Sequence, residues 1–407
     1  MFDRDFFVGN RERLRQLFTG TAPIIITANG LLQRASDETF PFHQDRSFWY
    51  LTGIDAPDIT LVMDKGKEYL IVPDRESIRE AFDGALDLGQ FTRISGIADI
   101  YNEKEGWKQL EARIKKVQHV ATLAASPAYV DAWGMYTNPA RAALIKRLKD
   151  MNEPVELLDL RQHLGRMRMV KQPVELAAIQ QAIDITIDAM KDVICPKSLA
   201  KYAFEYEVEA DLTRGFRRRG AQGHAFTPIV AGGERTCTLH NISNDAQLAS
   251  GELLLMDVGA QYSMYAADIT RTVVLGQQPS RRQQQIHDAV LAAQQYAYSI
   301  LKPGIFLRDY EKQMEAFVGE KLRELGLIKS ISSETVREYF PHATSHFLGL
   351  DTHDAGDYER ALEPGVVITV EPGIYVPAEG IGVRIEDDIV ITSEGNDVLT
   401  ARLGTEL

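Results

Sequence analysis

Two stretches of this chain place acidic residues inside strands that are otherwise apolar. GELLLMDVGAQYSMYAADITRTVVL, residues 251–275, reads as strand, turn, strand, and a turn at Tyr262-Ser263 sets Asp257 opposite Asp268. GVVITVEPGIYVPAEGIGVRIEDDIVI, residues 365–391, reads the same way. Its turn falls at Ala378-Glu379, flanked by Pro377 and Gly380, and sets Glu371 opposite Glu386. Directly opposed residues on an antiparallel pair have Cβ atoms about 5 Å apart, and like charges placed so repel. LLLM precedes Asp257 and VVITV precedes Glu371, so the carboxylates continue strands that read as buried. A buried, unpaired carboxylate is strongly unfavourable. Intramolecular ion pairs are one remedy; a divalent cation is the other, and the doubling of the pattern argues for it. A β-bulge in either hairpin would shift the register by one residue.

Between the two pairs lies His346. Four carboxylates and one imidazole suit a pair of hard to borderline divalent ions. Two metals about 3.5–4 Å apart are a known device for hydrolysis. His342, His346 and His353 fall within FPHATSHFLGLDTHD, and His240 lies in CTLHNISND. A lone histidine is more often structural than a ligand, but three within twelve residues ahead of a carboxylate strand shift that balance. Imidazoles that are not ligands can stabilise a developing oxyanion. Spacing alone leaves open which histidine does which.

At 407 residues the chain exceeds what one core usually organises, so two domains are expected. The net charge of -13 and pI of about 5.3 argue against nucleic acid or an anionic membrane as partner. They fit a cytoplasmic protein. The segment MFDRDFFVGNRERLRQLF is charged and lacks the apolar core of a signal peptide, and no run approaches the length of a membrane span. The two cysteines, Cys195 and Cys237, make neither a disulfide framework nor a zinc cluster.

Residues 1–165 read as an α/β domain. PIIITA, SFWYLTG, ITLVMD and EYLIVP are strand-like runs, while RERLRQLF and NPARAALIKRLKDM have helical periodicity. The basic stretch LRQHLGRMRMVKQP marks the boundary and reads as a solvated helix end or a domain contact. Pro173 then opens a helix with Leu176, Ile179, Ile183, Ile187, Met190 and Ile194 on one face. Residues 166–407 hold the carboxylate hairpins, with helices near 281–301 and 308–325 between them, separated by Lys302-Pro303-Gly304. The order helices, hairpin, helices, hairpin suggests an internal duplication. An antiparallel sheet flanked by helices would let both acidic pairs converge at its centre.

DVGAQYSMYAADITRTVVLG, SHFLGLDTHD, TVEPGIYV and GVRIEDDIVIT together resemble the pita-bread-fold metallopeptidases, and HQDRSFWYLTGIDAPDITLVM resembles the amino-terminal domain of bacterial aminopeptidase P. The resemblance implies an α/β N-terminal domain and an α+β pita-bread domain with an internal pseudo-twofold duplication around an antiparallel sheet. It implies five metal ligands: Asp257, Asp268, His346, Glu371 and Glu386, with Asp268 and Glu386 bridging. Glu371 would also be the general base, with water as nucleophile. His240 and His353 would contact the scissile carbonyl. His342, Tyr375 and Arg384 would orient ligands and substrate, with Arg384 steadying Glu386. The cofactor implied is two divalent ions, manganese being the commonest in the family, with cobalt or zinc as alternatives. The expected partners are peptides with proline at position two and further copies of the chain, as a homodimer or homotetramer. The N-terminal domain would wall one side of the cleft, directly or from a neighbouring subunit.

An X-Pro bond is a tertiary amide without an N–H, so it needs a site that dispenses with that handle. The nearest rival reading is an Xaa-Pro dipeptidase, which would share all five ligands. A metal-free pita-bread binding protein is the rival from another class. A structural calcium site is disfavoured by the imidazole and the lack of an EF-hand-like loop.

Overall fold

The computed structural model describes residues 2–74, 77–125, 130 and 134–407. They form two compact units, Met1–Met167 and Arg168–Leu407. The first is built on a six-stranded mixed sheet in the order Asp99–Asn102, Lys67–Val72, Thr60–Asp64, Ile24–Thr27, His119–Thr122, Glu156–Asp159. The three central strands run antiparallel and the outer pairings are parallel. One expected strand is a helix instead. SFWYLTG belongs to Arg46–Thr52, capped by Asp45, whose side chain accepts from the Phe48 N–H, and ended by Gly53 in the left-handed region (φ 71°). Residues Ser47–Thr52 are all buried, and an apolar run without periodicity does not distinguish a buried helix from a strand.

The second unit repeats one pattern twice. Helix Pro173–Ile194 packs on the hairpin tip 260–266, with Glu205–Arg218 against it; helix Arg281–Ile300 packs on the strands 373–384, with Leu307–Glu324 against it. Pro173–Ile194 starts where the sequence places it. Pro173 sits in the first turn, Gln172 and Glu175 close a capping box, and the Tyr265 hydroxyl donates to Glu175 (2.7 Å). Ile179, Ile183, Ile187 and Met190 are buried, and the buried face extends to Ala182, Ile185 and Ala189. Among the described residues no helix is long and apolar enough to cross a membrane.

The sheets carry the duplication further. Leu253–Val258 pairs with Ile229–Gly232 on one side and Ile269–Val274 on the other. Val367–Val370 pairs with Asp387–Ile391, and on its other side segment 344–348 runs alongside it through Leu348 N to Val367 O (3.1 Å) and Thr369 N to His346 O (3.0 Å). The halves join where Glu386 N donates to Thr270 O (3.1 Å) and Thr272 Oγ1 donates to Arg384 O (3.0 Å).

The second hairpin has the expected register, with Gly373 opposite Arg384, Val376 opposite Ile381 and Val370 opposite Asp387. Glu371 and Glu386 therefore fall opposite each other, where the ladder is interrupted. The first hairpin departs from expectation by two residues: Asp257 faces Thr270, and Tyr262 faces Tyr265. Its turn lies at Ser263-Met264, both with positive φ (47° and 74°), as a two-residue type I′ turn demands. A two-residue shift keeps every side chain on its face, so Asp257 and Asp268 are diagonal neighbours rather than opposed ones. The ladder breaks between them at Gly259, where an added Cβ would lie 1.7 Å from Ala267 O. Gly259→Ala must therefore move backbone between two of the acidic residues. Overpacking of this kind destabilises by about 1–3 kcal/mol, lowering the melting temperature by roughly 2–12 °C for a unit of this size; an unchanged melt would contradict the packing described.

Candidate metal centre

Nine of the ten residues singled out in the sequence line one cavity of about 650 Å³ in the second unit: Asp257, Asp268, His346, Glu371, Glu386, His240, His353, His342 and Arg384. Tyr375 stands behind them. Its hydroxyl accepts from Arg384 Nη1 (2.8 Å) and meets His342 Nε2 (2.8 Å). His342 Nδ1 donates to Ala343 O (2.8 Å), which leaves Nε2 as acceptor and makes the tyrosine the donor to it. Arg384 steadies the Glu386 carboxylate through its charge, not through a hydrogen bond. Its guanidinium reaches Asp257 Oδ2 (2.5 Å) and Thr270 Oγ1 (3.2 Å), because the shifted first hairpin brings Asp257 within its reach.

His346, Asp268 and Glu386 are buried, and one ligand-capable atom from each falls within 4.8 Å of the others. His346 Nδ1 donates to Phe347 O (3.1 Å), so Nε2 carries the lone pair. That atom faces Asp268 Oδ2 and Glu371 Oε1, each at 3.5 Å. Burial, and then His353, pull the His346 pKa down to about 3, so the ring is neutral and an acceptor confronts two acceptors. The carboxylates carry the same conflict. Burial, then Glu386, push the Asp268 and Glu371 carboxyls well above the ordinary range. Burial, then Asp257, push Glu386 up to about 8. Asp257 Oδ1 and Asp268 Oδ1 are buried with no protein partner among the described residues. Buried polar atoms are normally satisfied, and a cation satisfies every one of these at once. The residues fit a divalent-metal site.

Several supporting residues escaped the sequence reading. Thr270 donates to Glu386 Oε2 (2.6 Å). Asp388 accepts from the Asp268 N–H (3.1 Å). Arg271 binds Glu386 O (2.7 Å) and Asp387 Oδ1 (2.7 Å), anchoring the strand just beyond Glu386. Glu311 accepts from the N–H groups of Thr344 (2.9 Å) and Ser345 (3.1 Å) and so holds the segment bearing His346. Thr270, two residues past Asp268 and on the same face, had a signal in the strand period. Glu311, one acidic residue in a charged helix, had none.

The fold and this centre define a metallopeptidase, and the chain belongs to metallopeptidase family M24, which it matches over residues 177–393. Residues 7–121 match the aminopeptidase P N-terminal domain. An Xaa-Pro aminopeptidase of Haemophilus influenzae is 34% identical over 97% of this chain and 94% of its own length. One from Escherichia coli is 32% identical over 98% and 95%. The solved structure of E. coli aminopeptidase P with the inhibitor Pro-Leu is similar with a TM-score of 0.85 at 30% identity, covering 99% of this chain and 96% of that one. The two-domain architecture is that of aminopeptidase P.

Proposed function

We propose that this chain is a metal-dependent Xaa-Pro aminopeptidase that releases the first residue from peptides with proline at position two. The observation that carries the reading is the neutral His346 facing the buried Asp268 and partly buried Glu371 carboxylates in a cavity that apolar side chains help to line. Asp257, Asp268, His346, Glu371 and Glu386 would hold two divalent ions. Carboxylate-rich ligation supports manganese, with cobalt or zinc as alternatives. Bound ions would supply Lewis-acid polarisation and lower the pKa of water.

The chain's own residues do the rest. Glu371 reaches the cavity beside His342 (3.5 Å) and His346, where its carboxylate can take and return a proton. His240 and His353 open on the same cavity and donate to the carbonyl oxygen as it gains charge. Arg384 and Tyr375 fix Asp257 and His342. Phe226, Leu239, Ile242 and Tyr358 offer the pyrrolidine ring an apolar wall. The acidic charge of the chain suits a cationic amino terminus. We further propose a cytoplasmic protein that assembles as a homodimer or homotetramer, which light scattering would check.

His240→Ala and His353→Ala are expected to lower kcat by about 10²–10³, the scale of one oxyanion donor, with metal content unchanged. Loss of metal in either variant would make that histidine a ligand instead. With manganese added, tripeptides of the form X-Pro-Y should be cut and X-Ala-Y tripeptides poorly. Cleavage confined to dipeptides would assign a dipeptidase, and full activity in a metal-free sample would sink the proposal.

A further inference from the structure

Within the basic stretch at 160–173, expected as a solvated helix end or a domain contact, two of the cations are not solvated. Arg168 is 4% exposed and the Lys171 side chain is fully buried. Both lie inside the second unit, and neither lines the cavity. Lys171 Nζ donates to Asp354 Oδ2 (2.9 Å) and to Arg168 O (2.6 Å). Arg168 Nη2 donates to Asp354 Oδ1 and to Asp351 Oδ2 (2.7 Å). Asp354 is itself buried and immediately follows His353.

The loop between His346 and Asp354 is closed on itself. Asp354 N donates to Phe347 O (2.8 Å), and Gly349 N donates to Asp351 O (3.1 Å). Phe347 O also accepts from His346 Nδ1, so one carbonyl ties the start of the loop to its end. The His353 ring lies over the His346 ring, 4.0 Å between centroids. There is no slack beside the carboxylate. A Cβ on Gly349 would lie 2.2 Å from Asp354 Oδ2 and 2.9 Å from Lys171 Cε. A buried ion cluster is weak evidence for stability, since apolar side chains can fill the same volume. What two cations on one carboxylate supply is a fixed position.

We propose that Arg168 and Lys171 form a positioning clamp that, through Asp354, holds His353 in place at the catalytic cavity. The inference rests on the reading of His353 as a group that touches substrate, and it assigns a role to residues between the two matched family segments. Arg168, Lys171 and Asp354 are positioning residues; none of them meets the substrate.

The test uses the metal-loaded protein and an X-Pro-Y tripeptide. Lys171→Met leaves Asp354 paired with Arg168, and Gly349→Ala displaces the carboxylate while keeping every charge. Each should lower kcat by about 10–100-fold, the scale of a misplacement of an ångström or less. KM and metal content should stay near those of the unaltered chain, and the melt should remain cooperative. In a His353→Ala background, Lys171→Met should add less than about twofold, because a clamp has nothing left to position. Two results would overturn the inference: wild-type kcat in both folded variants, or penalties that multiply in the double variant. Wild-type kcat in His353→Ala alone would overturn the functional reading beneath it, so the two failures are distinguishable.

Discussion

Glu386→Gln is expected to abolish turnover while making the metal-free protein more stable, not less. Glu386 sits at the seam of the two half-sheets, its backbone N–H on Thr270 O and its carboxylate on the Thr270 hydroxyl. In the absence of metal, its charge is opposed by burial and by Asp257. Glutamine keeps the shape and can still accept from Thr270, but brings no charge into the cluster. The repulsion falls, and the melting temperature of a chelated sample should rise. A glutamine amide is a far poorer ligand for a divalent ion than a carboxylate, so metal binding should weaken and kcat should drop by at least about 10³, beyond the loss of a single oxyanion donor. Asp268→Asn should behave the same way. Paired melts and elemental analysis check both halves. A variant with normal turnover and full metal content would remove these residues from the ligand set.

How much of this was legible in the sequence depends on what each residue type signals. The acidic residues announced themselves because LLLM and VVITV leave a carboxylate no solvent to face. The second hairpin's register followed from Pro377 and Gly380, which punctuate its turn. The first hairpin's turn carries no such mark. Ser263 and Met264 adopt positive φ without glycine or asparagine, a conformation residue type does not advertise. The two-residue error spared the face of every side chain, so the carboxylates were still grouped correctly, but it hid the hydrogen bond from Arg384 to Asp257. Long-range partners were the least legible. Arg168 and Lys171 look like solvated cations until Asp354, more than 180 residues away, is folded against them. SFWYLTG shows the same limit within one domain, since the burial of the whole run erased the period that would have revealed a helix.

The second large effect is the dependence of metal stabilisation on pH. Asp268, Glu371 and Glu386 have folded-state pKa values raised by burial and mutual repulsion, whereas unfolded carboxyls titrate near 4. Between those values the folded chain binds more protons than the unfolded one, so the stability of the metal-free protein falls as pH rises through the folded pKa, about 8 for Glu386. Each proton of difference changes stability by about 1.4 kcal/mol per pH unit. Other groups must be kept out of the window. Burial, and then a neighbouring charge, lower the pKa of His342, His346 and His353, which adds stability as pH rises towards 6.5 and nothing beyond it. Asp354, which burial pushes up but Arg168 and Lys171 hold below the ordinary range, matters only in acid. From pH 6.5 to 8 the carboxylates of the centre therefore act together with Asp388, which burial likewise pushes well above the ordinary range; the difference between chelated and metal-loaded samples isolates the centre. A chelated sample should lose melting temperature steadily across that range. A divalent ion binds the deprotonated cluster and stabilises the folded chain in proportion to its affinity, so the gap between metal-loaded and chelated melts should widen with pH. A gap that stayed constant or narrowed would mean that these carboxylates are not the groups a cation neutralises.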